Sequence, residues 1–146
     1  MLTVKNISKT LDFAKISDLL HFALDGKLEH DVVVNIIEYD HILDRLSNPD
    51  FELKAITYPT NIEHNYSLII RRGASQMEEI VLHESIHLTQ YEAGRLKFNV
   101  QSGRCEWDGV SFSASFPYEA RPWEKEAFRG QYELLAAWRK HNKKLK

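Results

Sequence analysis

Between residues 13 and 24 the apolar positions Phe13, Ile16, Leu19, Leu20, Ala23 and Leu24 recur at steps of three and four, and Gly26 follows them. That spacing lines one side of a helix, so a helix is predicted over residues 10–25, with the glycine as its stop. The pattern then changes. HDVVVNIIEYD is a short β-branched apolar run and predicts a buried strand. A helical turn over His41–Leu46 follows, broken by SNPD. FELKAITYP (Phe51–Pro59) alternates as a strand does, and NYSLIIRRG (Asn65–Gly73) is its predicted antiparallel neighbour.

From residue 76 to 93 the helical period returns, but without a polar face. Ile80, His83, His87 and Tyr91 form one stripe, and Met77, Val81, Glu84 and Leu88 form the next. A helix apolar nearly all round belongs in the middle of a domain. Ser75 and Glu78 have capping-box spacing at its start, and Gly94 stands at its end. RLKFNV and RCEWDGVSFSASF then read as strands, with Asp108-Gly109 as a hairpin turn. The last segment, from Pro117 onward, is helical, with Pro117 or Pro122 near its first turn. This order predicts an α+β fold over residues 1–146 as one domain, its helices packed on a small, mostly antiparallel sheet.

Composition narrows the function classes. With 43% hydrophobic and 27% charged residues the chain is of globular type, and a net charge of −2 makes no electrostatic case for nucleic acid or an anionic membrane. The single cysteine, Cys105, excludes an internal disulfide and a cysteine-rich zinc site. No apolar run is long enough to span a bilayer, and MLTVKNISKTLDF lacks the apolar core of a signal peptide, so a cytoplasmic protein is expected.

The candidate chemistry lies in HESIH, residues 83–87. Positions four apart stack on one helix face, so His83 and His87 can offer imidazole nitrogens to one cation. Glu84 lies on the adjacent face, too far round to share the ion but able to reach a water bound to it. On a buried helix such polar groups are costly unless something satisfies them. The competing reading is a buried helix whose histidines are satisfied by ordinary core hydrogen bonds. A catalytic zinc keeps three protein ligands and an open position, and RPWEKEAFRG offers two carboxylates. Glu124 shares an inward stripe with Phe128, Leu135 and Trp138; Glu126 shares a polar stripe with Arg129, Gly130, Glu133 and Lys140. Glu124 is favoured and Glu126 is the alternative.

HESIH followed by the E-x-x-A segment WEKEA resembles the gluzincin class of zinc metallopeptidases, most of all its smallest members, the minigluzincins, and compact zincin-like peptidases of phages and bacteria. The resemblance covers only Ser75–Gln90 and Pro122–Ala127. It implies a zincin-like fold, one Zn²⁺ per chain held by His83, His87 and Glu124, Glu84 as general base, and a peptide or protein as substrate of an endopeptidase. The family pattern commonly ends in an Asp or Asn that orients a zinc-binding histidine; here that position is Phe128. A backbone carbonyl or another carboxylate is then expected in its place. Tyr118 and Tyr91 are the candidate stabilisers of an oxyanion, and the strand at Phe51–Pro59 or Asn65–Arg72 the candidate edge for an extended substrate. The remaining histidines and the three tryptophans are expected to be ordinary surface or core residues. The alternative function is a zincin-fold module that holds zinc for regulation or interaction without turnover.

Overall fold

A computed structural model of the chain describes residues 1–10, 12–47, 52–99 and 101–145. Its elements run β1 (Leu2–Asn6), α1 (Phe13–Leu24), β2 (Val32–Glu38), α2 (Asp40–Leu46), β3 (Ala55–Pro59), β4 (Asn65–Ile70), α3 (Met77–Glu92), β5 (Leu96–Phe98), β6 (Cys105–Trp107), β7 (Val110–Phe112), a 3-10 turn (Tyr118–Ala120) and α4 (Pro122–Leu145). The predicted break at SNPD and the predicted strand ends at Phe51 and Val100 fall partly or wholly outside the described residues.

The α+β class holds, but the main sheet is mixed rather than mostly antiparallel. Its order is β1-β2-β4-β3, with β1 and β4 both parallel to β2 and only β3 antiparallel to β4. Two pairings make the difference: β4 runs parallel to β2, and β1, a strand that the spacing did not reveal, adds a second parallel pair. Parallel strands need a long crossover, and α1 supplies it, so that Val4 lies opposite Val34. β4 is paired on both sides, and β3 is an edge. A second sheet, β5-β6-β7, is antiparallel throughout. Its β6–β7 turn has positive φ at both Asp108 (49°) and Gly109 (86°), as a two-residue hairpin turn requires.

The helices bury one face of the main sheet. Val32, Val34 and Ile36 of β2 and Leu68 and Ile70 of β4 meet Leu19 and Leu20 of α1, Leu82 and Leu88 of α3, and Leu135 and Trp138 of α4 in one core. The predicted central burial of α3 is observed: it packs between α1 and α4 and beside β3. Gly130 of α4 permits the close approach to α3, since a Cβ there would stand 2.7 Å from Ile86 Cδ1. At the far end of α3, Glu92 accepts hydrogen bonds from the Tyr66 hydroxyl and from His64 Nδ1 (2.8 Å), which ties the helix to β4. Leu96, Trp107 and Trp123 form a smaller core under the second sheet.

The predicted capping box does not form. The helix begins one residue later than Ser75 allows: Gln76 is its N-cap, in the left-handed conformation at φ 61°, and makes no side-chain cap bond. Glu78 and Glu79 in the first turn still face the positive end of the helix dipole. Gly94, at φ 74°, ends the helix as predicted.

Candidate metal centre

α3 carries His83, Glu84 and His87 into the interior, where all three are buried, and their potential ligand atoms lie within 4.8 Å of one another. This group could hold a metal ion. The first turn of α4 brings a fourth buried polar residue to the same point. Glu124 Oε1 lies 2.9 Å from His83 Nε2 and 3.0 Å from His87 Nε2, and the two Nε2 atoms are 3.2 Å apart.

Two glutamines set the state of the rings. His83 Nδ1 is 2.6 Å from Gln131 Oε1, and His87 Nδ1 is 2.7 Å from Gln90 Oε1. An amide oxygen only accepts, so each Nδ1 carries the proton and, in a neutral imidazole, each Nε2 is left as a lone pair. The Gln90 orientation is fixed from its other end, because its Nε2 donates to the Trp123 carbonyl at 3.0 Å. Orienting residues were expected to be a backbone carbonyl or a carboxylate; side-chain amides do the work instead. Phe128, which stands where the resemblance led to an Asp or Asn, packs its ring 4.6 Å from that of His83. Gln131, one turn further along α4, provides the acceptor.

Three electron-pair donors therefore converge with no hydrogen among them in their neutral and carboxylate forms. In a dry interior that arrangement needs a cation at its centre. A proton is the smallest that serves. Burial alone would lower the His87 pKa, but the charge and hydrogen bond of Glu124 outweigh it and push it up to about 9. Burial likewise opposes ionisation of Glu124, yet His87 and His83 hold its carboxyl well below the usual carboxylate range. A tetrahedral ion with bonds of 2.0–2.1 Å places its ligand atoms about 3.3 Å apart. The separations here, 2.9–3.2 Å, differ from that by a few tenths of an ångström. The donor set thus fits a small divalent ion with a position left open.

Around this centre each neighbouring polar group has a defined role. Thr57 of β3 donates its hydroxyl to Glu84 Oε1 at 2.8 Å, a contact that nothing in the sequence pattern indicated. Tyr91 donates to the Thr57 carbonyl at 3.1 Å, so its hydroxyl is committed to holding β3. The Tyr118 hydroxyl donates to Glu124 Oε1 at 2.9 Å; burial first, and the nearby carboxylates after it, push that phenol far above its ordinary pKa and keep it protonated. Glu126 lies outside the centre, in an ion pair with Arg95 (3.0 Å). Two hollows, of about 220 and 230 Å³, open on either side and share Ala55, Glu84 and Tyr118 in their walls. Cys105, half-buried on β6, lines the first of them, and its thiol is pushed up to about 11, chiefly by burial.

Removing an orienting acceptor has a measurable cost. Gln131→Leu is expected to weaken Zn²⁺ binding about 10–100-fold, the usual effect of losing the partner of a ligating histidine. Competition against a chromophoric chelator measures it, and an unchanged affinity would show that His83 needs no fixed tautomer. Among the described residues no helix is long and apolar enough to cross a membrane. No protein-family model, curated protein or solved structure matches the chain, so its chemistry is read from the centre itself.

Proposed function

We propose that the chain is a zinc-dependent peptidase, with His83, His87 and Glu124 as the zinc-binding residues and Glu84 as the general base. One observation carries this reading: two tautomer-fixed Nε2 lone pairs and one carboxylate oxygen converge on a point beside a second carboxylate, that of Glu84, which the Thr57 hydroxyl holds. A purely structural site has no use for that second carboxylate. Bound zinc would supply Lewis acidity, polarising a scissile carbonyl and acidifying a water.

The chain's own residues do the rest. Thr57 fixes one oxygen of Glu84, leaving the other to take the proton of the attacking water and to deliver it to the leaving amine. The Tyr118 hydroxyl, which burial keeps protonated and which bonds Glu124 Oε1 at the centre, would turn from that oxygen to donate to the charge that develops on the carbonyl oxygen. Tyr91 is less suited to that role, because its hydroxyl bonds the Thr57 carbonyl of β3 and not a group of the centre. An extended peptide would lie along β3, the free edge beside Glu84, and not along β4, whose two sides are already paired.

The test is hydrolysis itself. Zinc-loaded protein is expected to cleave members of a quenched fluorogenic peptide set, to stop when a chelator strips the ion, and to recover on zinc addition. Zinc-bound, folded protein that cleaves nothing across a broad set would remove the peptidase reading and leave a metal-binding module.

A further inference from the structure

Three arginines of the described chain are half-buried: Arg71, Arg95 and Arg121. Arg71 is paired with Asp44 and Glu52, and Arg95 with Asp108 and Glu126. Among the described residues Arg121 has no carboxylate within ion-pair distance. Its guanidinium is nevertheless held firmly. Nε donates to the Phe116 carbonyl at 3.1 Å and Nη2 to the Ala114 carbonyl at 3.3 Å, and the group lies 5.6 Å from the Tyr118 ring and 6.0 Å from the Trp123 ring. It lines the same hollow as Glu84, His87 and Glu124, and part of that hollow's wall is apolar, with Leu96, Phe98 and Trp123. Its charge is felt at the Tyr118 phenol and the Cys105 thiol, where it opposes the upward push of burial.

A fixed guanidinium suits a carboxylate, which it binds with two parallel hydrogen bonds when geometry allows. Burying part of such a charge without an anion has a cost that a ligand anion would offset. We infer that Arg121 forms an anion subsite beside the metal centre, and that the preferred ligand pairs an apolar side chain, seated against Leu96, Phe98 and Trp123, with a carboxylate on Arg121. The inference rests on the peptidase reading only for what the carboxylate belongs to. It is the free C-terminus of a peptide, which makes the cleavage an exopeptidase one near that end, or it is an acidic side chain within a peptide.

The probes are matched neutral and anionic pairs: N-acetyl-leucine against N-acetyl-leucinamide for the terminal carboxylate, and N-acetyl-aspartic acid amide against N-acetyl-asparagine amide for the side chain. Binding to the full chain is followed by tryptophan fluorescence and by the Arg121 Nε–H resonance, with and without zinc, and zinc content and peptide cleavage are measured on the same preparation. The anionic member of one pair is expected to bind about tenfold or more tightly, to shift the Arg121 resonance in wild type, and to lose its advantage in Arg121→Gln while Arg121→Lys retains part of it. The resonance in wild type decides the matter if Arg121→Gln fails to fold. Equal binding of both members of both pairs overturns the subsite, even where peptides are cleaved. A carboxylate preference that vanishes in Arg121→Gln, in protein that neither holds zinc nor cleaves peptides, upholds the subsite and removes the peptidase reading.

Discussion

Zinc-loaded Glu84→Gln protein is expected to keep its metal and to hydrolyse peptides about 10²–10⁴-fold more slowly than wild type, the range that a positioned general base contributes. The substitution isolates proton transfer. Glutamine has nearly the shape of glutamate, and its carbonyl oxygen still accepts the Thr57 hydroxyl that now reaches Glu84 at 2.8 Å. What it lacks is a second oxygen able to take a proton. Zinc content by mass spectrometry and initial rates on one cleaved peptide are the two measurements. An undiminished rate with zinc in place would sink the role of Glu84. Inactivity of wild type and variant alike, both fully loaded with zinc, would favour the module that binds without turnover.

Glu124→Ala is expected to lower zinc affinity by on the order of 100-fold or more, since loss of a mere outer partner already costs 10–100-fold. Glu126→Ala should leave affinity close to wild type. The contrast follows from what each carboxylate touches. Glu124 Oε1 is 2.9 and 3.0 Å from the two ring nitrogens, whereas Glu126 is occupied by Arg95 and, more weakly, by Gln90 Nε2 at 3.2 Å. Without Glu124 the two Nε2 atoms lose the one carboxylate oxygen within 3.0 Å of both, and Glu84, held by Thr57, is the carboxylate left beside them. A competition titration of both variants decides it. Strong loss in Glu126→Ala with little in Glu124→Ala would reverse the assignment.

Much of this centre was legible before any coordinates, because helices convert spacing directly into direction. The step of four between His83 and His87 puts them on one face, and the company of Leu135 and Trp138 turns Glu124 inward, whereas Phe128, expected on the same inward stripe, is exposed. Gln131 lies on that same inward stripe, a polar residue among apolar ones, so its signal was present and went unread. Gln90, three residues beyond His87, was legible in the same way. Thr57 was not, since which strand lies beside α3 depends on sheet order, and a single sequence does not encode sheet order locally. β1 was lost for a related reason. LTVKN is five residues long with only Leu2 and Val4 turned toward the core, too short for alternation to stand out, and the parallel β2–β4 pairing depends, like the place of Thr57, on sheet order. The capping box failed by one residue, a shift smaller than sequence patterns resolve.

The donors of the centre come from two helices, with His87 and His83 of α3 lying 37 and 41 residues before Glu124 of α4. A bound ion therefore closes a long loop that contains the whole β5-β6-β7 sheet, much as a removable staple would. Binding that favours only the folded state adds about 2.7 kcal/mol at a free-ion concentration 100 times the dissociation constant. A bound ion would then govern how long the molecule survives. In surroundings rich in proteases, scarcity of metal would shorten the life of the chain itself, so that its abundance would follow the metal supply.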